Sequence, residues 1–92
     1  MHSDAWVLKL YVSGIGPMSM RARDNLERLC REHIKARYRI EVIDLLLQPA
    51  LALEHEIVAV PTVVRESPVP IRKAIGDLSA PERIPRLFQV SF

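Results

Sequence analysis

Apolar residues recur along this chain with two different periods, and the changes of period divide it into elements. Trp6 to Val12 is aromatic, aliphatic and β-branched, interrupted only by Lys9, the pattern of a strand buried on both faces. Gly14-Ile15-Gly16-Pro17 breaks that run, and Pro17 suits the first turn of a helix, where its missing N–H removes no bond. From Met18 to about Ala36, the residues Ala22, Leu26, Leu29, Cys30 and Ile34 fall at helical spacing and leave the arginines on the opposite side. Tyr38 to Val42 then alternates strictly before Ile43 and Leu45, which predicts a second strand. Strand, helix and strand in this order make a βαβ unit with parallel strands and a right-handed crossover.

The second half is more punctuated. Ala50 to Glu56 is rich in Ala, Leu and Glu and predicts a short helix after Gln48-Pro49. Ile57 to Val64 is apolar and β-branched, and since Pro61 has no N–H to give a ladder, the third strand is expected to open near it. Pro61 has two readings, a strand-opening proline in trans or a cis proline. Pro68 and Pro70 force a turn, after which Ile71 to Ile75 can pair back antiparallel. Ser79-Ala80-Pro81-Glu82 has the form of a capping box and predicts a helix from Ser79, ending or kinking at Pro85. Beyond that point Phe88, Val90 and Phe92 alternate with polar residues, so the C-terminus is legible both as helix and as strand.

Composition narrows the function classes. The chain has 92 residues, of which 49% are hydrophobic, enough for one domain with one modest core; oligomerisation would supplement so small a core. The first four residues carry no basic n-region, and no apolar run approaches the roughly 18 residues that span a bilayer, so a cytoplasmic protein without a membrane role is expected. The net charge is only +2, but Arg21, Arg23, Arg28, Arg31, Lys35, Arg37 and Arg39 crowd one segment. Nucleic acid is one partner for such a stretch; Asp24 with Arg28 and Glu27 with Arg31 are, however, four-apart pairs of an ordinary solvated helix face, and no nucleic-acid role is expected.

Candidate chemistry is sparse. The single cysteine, Cys30, falls on the apolar helix stripe, whereas a redox thiolate belongs at a helix N-terminus, where this chain has Gly14-Ile15-Gly16-Pro17. His2, His33 and His55 lack the spacing of a metal site. Gly14-x-Gly16 lacks the third glycine and the following Lys-Ser or Lys-Thr of a phosphate loop. No catalytic residue, metal or cofactor is expected, and the chain is expected to act by binding. Trp6, the only tryptophan, is either a core anchor or an interface residue.

The order βαβ, helix, strand, strand, helix is the plan of a thioredoxin-like domain. Within it, Leu8-Lys9-Leu10-Tyr11-Val12, Val42-Ile43-Asp44-Leu45, Val60-Pro61-Thr62 and especially Pro70-Ile71-Arg72-Lys73-Ala74-Ile75-Gly76-Asp77-Leu78-Ser79 resemble the circadian KaiB family, from about Val7 to Arg83. The resemblance implies a non-enzymatic regulator that binds a KaiC-type ATPase, and in complete clocks also captures KaiA and competes with the kinase SasA. It implies two forms: a thioredoxin-like one (βαβαββα) that binds KaiC, and a usually tetrameric one (βαββααβ) with the C-terminal half rebuilt. A dimer or tetramer is therefore expected of the free protein. The same resemblance makes Glu54, Glu56, Arg65, Pro68, Pro70, Arg72 and Lys73 the expected partner contacts, and Pro61, Gly76, Asp77, Pro85, Leu87 and Gln89 the expected structural or fold-switch positions. Arg72 and Lys73 are also the charges that would protect an exposed sheet edge. Glu56 stands where cyanobacterial members commonly carry lysine, and Leu87 and Gln89 where they carry glycine and aspartate, so partner charge and switching energetics are expected to differ. The alternative is a KaiB-like sensor or interaction module of a histidine-kinase or stress pathway without a circadian role.

Overall fold

The computed structural model describes residues 5–79 and 84–90. The element order is β1 (Trp6–Val12), α1 (Pro17–His33), β2 (Tyr38–Asp44), α2 (Ala50–Glu54), β3 (Thr62–Ser67), β4 (Arg72–Ile75) and α3 (Ile84–Phe88). One sheet of order β2-β1-β3-β4 carries them. β2 runs parallel to β1, with Trp6 opposite Tyr38 and Val12 opposite Asp44, while β3 is antiparallel to β1 and to β4. β1 has a strand on each side, which accounts for its nearly unbroken apolar sequence.

Side chains on a strand point alternately to the two faces, so each strand is divided between two cores. On one face Leu8, Leu10 and Val12 of β1 join Val63, Ala74 and the α1 stripe of Ala22, Leu26, Leu29 and Cys30, and Leu87 of α3 closes this core. On the other, Tyr11 packs with Val64, Ile57 and the half-buried Ile43 and Ala52. α1 and α3 therefore cover one face and α2 the other. Lys9, the interruption in β1, lies on the α2 face and meets Glu66 of β3 at 3.3 Å.

The turn before α1 is tied down by Asp44, whose Oδ1 accepts from the Gly14 N–H at 2.8 Å and the Leu46 N–H at 2.9 Å. Gly14 has φ 76, and a Cβ there would meet Leu46 Cδ1 at 3.0 Å, so a side chain is excluded by both backbone and space. This is the structural turn that the missing phosphate-loop residues implied. Pro17 opens α1 as expected, and the Val60–Pro61 peptide is cis, as are Ser67–Pro68 and Val69–Pro70.

Several expectations are corrected. α2 stops at Glu54 rather than Glu56, because Glu56 takes the left-handed conformation (φ 56) that ends many helices. On α1 the four-apart pairs are Arg23–Glu27 (3.5 Å) and Arg28–Glu32 (3.6 Å), not Asp24–Arg28 and Glu27–Arg31. Glu27 and Arg28 each have an opposite charge four residues away in both directions, and Arg28 takes the longer glutamate over the shorter Asp24. Ser79 is itself non-helical, with its hydroxyl and N–H both bonded to the Asp77 carboxylate, and the helix start expected after it falls on 80–83, outside the described residues. α3 runs through Pro85 to Phe88 without ending there. Phe88 is thus helical, Gln89 and Val90 are not strand, and Phe92 lies outside the described residues. Among the described residues no helix is long and apolar enough to cross a membrane.

Candidate docking surface on the second helix face

The residues proposed as partner contacts are separated by the sheet. Arg65 and Arg72, opposite one another on β3 and β4, lie on the α3 side, whereas Lys73 pairs with Val64 on the α2 side. Pro68 and Pro70 form the connection between the two strands, Pro68 half-buried and Pro70 exposed. Glu54 and Glu56 sit at the end of α2, both exposed.

Arg65 is 0% exposed and is not available to a partner in this form. Its Nη1 donates to the Leu87 and Gln89 carbonyls at 2.9 and 2.6 Å, and its Nη2 to the Pro70 carbonyl at 2.9 Å. The guanidinium carbon stands 5.2 Å from the centre of the Trp6 ring, and Phe88 stacks on the same tryptophan at 6.1 Å. Burial, together with the neighbouring Arg72, presses the Arg65 guanidinium below the ordinary arginine value, but an arginine remains charged at any physiological pH. Arg65 is therefore the clasp that holds the end of α3 and the β3–β4 connection to the sheet. Trp6 is part of that clasp, packed against the core between cation and aromatic ring.

The structural positions fall where the sheet and α1 meet. The Pro61 carbonyl accepts from the Gly76 N–H at 2.8 Å, and Gly76 has φ 108. Asp77 joins α1 to the end of β4: its carbonyl accepts from Asn25 Nδ2 at 2.8 Å and its carboxylate lies 3.6 Å from Arg21. The bonds from Ser79, with Arg21 nearby, hold the Asp77 carboxyl below its ordinary value. Leu87 is buried under α3, and Gln89 contributes its carbonyl to Arg65.

The α2 face is built differently. A cavity of about 190 Å³ opens between the end of α2, β3 and β4. Glu54, Glu56 and Glu66 line it, together with Lys73, whose ammonium donates to the His55 and Glu56 carbonyls at 3.1 and 3.4 Å. Its inner wall is Tyr11, 1% exposed, with the His55 ring 6.0 Å away. Burial first, and then the carboxylates of Glu66, Glu41 and Glu54, raise the Tyr11 phenol above its ordinary value against the pull of Lys9. Burial opposes the charge on Lys9, but the bond to Glu66 and its charge outweigh that and hold the ammonium above its ordinary value. Glu56 also lines a second cavity, of about 470 Å³, walled by the exposed Leu53 and Val58. Glu54, Glu56 and Lys73 are thus brought together on one surface, with Tyr11, His55 and Glu66 beside them. Sequence reasoning missed these last three; the signal for Tyr11 was its alternation with Leu10 and Val12, which puts it on the face of Lys9.

No thiol chemistry is available from Cys30, which is buried in the α1 core with its thiol pushed up to about 12, by burial first and Glu27 second. Among the described residues no three His, Cys, Asp or Glu side chains are grouped to hold a metal ion.

The family model described as the KaiB domain matches residues 9–90. The circadian clock oscillator protein KaiB of Prochlorococcus marinus subsp. pastoris is 46% identical over 79 residues, covering 86% of this chain and 74% of that protein. The protein of the same name from Microcystis aeruginosa is also 46% identical over 79 residues, covering 86% and 76%. Among solved structures, the N-terminal domain of Synechococcus elongatus SasA superposes with a TM-score of 0.74 at 19% identity, covering 84% of this chain and 73% of that one. Chloroplastic thioredoxin z gives 0.63 at 20% identity, covering 79% and 66%. These two show the fold, which is thioredoxin-like.

Proposed function

The chain belongs to the KaiB family, and from that premise we propose that it is a non-enzymatic clock-type regulator that binds a KaiC-type ATPase through the α2 face and the adjoining β3–β4 connection. The observation that carries this reading is the meeting of Glu54, Glu56 and Lys73, from distant parts of the chain, around one groove bordered by exposed Leu53, Val58 and Ile71. Exposed apolar groups set among charges are what a protein partner can bury with specificity. Pro68 and Pro70, in the adjoining connection, and Arg72 on β4 are further proposed contacts, and Arg65 acts from beneath by holding that connection in place. Cys30 supports binding over turnover, since the fold's one thiol is kept protonated inside the core.

The thioredoxin-like form is the one that the family resemblance assigns to KaiC binding. In this proposal the free protein is a dimer or tetramer that also populates the rebuilt C-terminal arrangement, with Leu87 and Gln89 altering the balance. KaiA- and SasA-like proteins are secondary partners or competitors. The test is co-elution with a cognate KaiC-type hexamer loaded with ATP or with ADP. A complex is expected in at least one nucleotide state, and its absence in all of them would sink the proposal. Native mass measurement and an NMR spectrum of the free protein report oligomer and form independently.

A further inference from the structure

The two edges of the sheet are built differently. β4, at one edge, has four residues, carries Arg72 and Lys73 and follows Pro68 and Pro70, features that keep an edge from pairing. β2, at the other, has seven residues with no proline and no lysine, and among the described residues no strand lies beyond it. Two bonds fix which of its backbone groups face outward. The Arg37 carbonyl accepts from the Trp6 N–H and the Leu45 N–H donates to the Val12 carbonyl, both at 2.8 Å. The odd-numbered positions therefore turn to β1, and Tyr38, Ile40 and Val42 turn away from it. Asp44 has the same parity, but its carbonyl is taken by the N–H groups of Leu47 and Gln48. The open positions are thus centred on Ile40.

We propose that β2 pairs antiparallel with β2 of a second copy of this chain, about a two-fold axis through Ile40, joining two four-stranded sheets into one. In that register Ile40 meets Ile40 and Tyr38 meets Val42, each with its open N–H and C=O toward the other copy, and Arg39 stands opposite Glu41. Arg39 and Glu41 are on the α2 face, 3.2 Å apart within one strand, and across the axis they make two equivalent pairs of opposite charge. The apolar positions are on the α1 face. There Tyr38 of the second copy falls beside Val42, which is 48% exposed and lines a hollow of about 90 Å³ with the exposed Ile15 and Met20. An axis through Arg39 or through Glu41 instead sets like charges face to face, so the sequence selects one register. The proposal rests on the reading of the free protein as an oligomer and supplies its surface; the α2-face groove, toward β3 and β4, stays open.

The test is sedimentation equilibrium of the full chain, with amide hydrogen exchange at several concentrations. A dimer that dissociates at about 10–100 µM is expected, the strength of a small edge contact. Exchange at Tyr38, Ile40 and Val42 should slow as the concentration rises. Arg39→Glu and, separately, Glu41→Arg should each weaken the dimer about tenfold or more, and neither side chain belongs to a core. An equimolar mixture of the two variants should regain the dimer mass, because opposite charges meet again across the axis. A dimer that ignores both substitutions, or a mixture that stays monomeric, would overturn the pairing and leave the oligomer reading in place. A monomer up to about 1 mM would remove both. Co-elution with the KaiC-type ATPase reports separately on the α2 face.

Discussion

The two faces of this sheet are closed by different physics. On the α1 and α3 side the core is continuous, and the buried charge among the described residues, Arg65, gives both Nη groups to the carbonyls of Leu87, Gln89 and Pro70 while its Nε has no partner. On the α2 side a five-residue helix leaves a groove lined by Tyr11, His55, Lys73 and the carboxylates of Glu54, Glu56 and Glu66. A charge buried against backbone carbonyls belongs to the fold; charges left exposed beside apolar side chains are available to something outside it. Under the proposed function the first face carries stability and the second recognition.

Substitutions can break that division. Arg65→Ala has the largest expected effect, about 3 kcal/mol of lost stability, because it leaves buried carbonyls without donors and frees α3. Urea unfolding measures the loss, and thiol labelling of Cys30, negligible in the closed protein, should accelerate as the core opens. Arg65→Lys should recover only part, since an ammonium cannot span three carbonyls in a plane. If Arg65→Ala were neutral, the clasp would not be what holds α3.

On the other face, Glu56→Gly should raise stability by about 0.5–1 kcal/mol, because glycine accepts the left-handed backbone that glutamate holds at a cost. The same change should weaken partner binding, and gain of stability with loss of binding is the signature of a recognition residue. Tyr11→Phe should move stability by less than about 0.5 kcal/mol, since no internal hydrogen bond is lost. A larger destabilisation in thermal unfolding would reveal an internal partner for the hydroxyl.

The smallest effect concerns Asp77 on the α1 side. Its folded carboxyl lies below the ordinary value, so its contribution is complete at neutral pH and is lost as the pH falls from about 4 through the lower folded value. Asp77→Asn should flatten the acid limb of a stability–pH profile and leave the neutral region nearly unchanged. An unaltered acid limb would place the acid sensitivity elsewhere.

Much of this was legible in the sequence, unevenly and for physical reasons. β1, α1 and β2 were legible because one period runs uninterrupted through each, and β3 because Pro61 cannot sit within a ladder. The end of the chain was not, since Phe88 and Val90 satisfy both periods locally; the choice of helix is made by Trp6, His33 and Arg65, all distant in sequence. Arg65 illustrates the limit for the site. An arginine following Val63 and Val64 looks like a surface charge, and only the carbonyls arriving from Pro70 and from Leu87 and Gln89 make its burial tolerable. Glu54, Glu56 and Lys73 were named individually, but their meeting around Tyr11 depends on the register that sets Lys73 opposite Val64.

The most direct test of the central claim sets the two faces against each other in one binding experiment. Co-elution with a KaiC-type ATPase should be lost on Glu56→Arg, on the α2 face, and retained on Arg31→Glu, on the outer face of α1. A complex that survives Glu56→Arg and fails with Arg31→Glu would contradict the account.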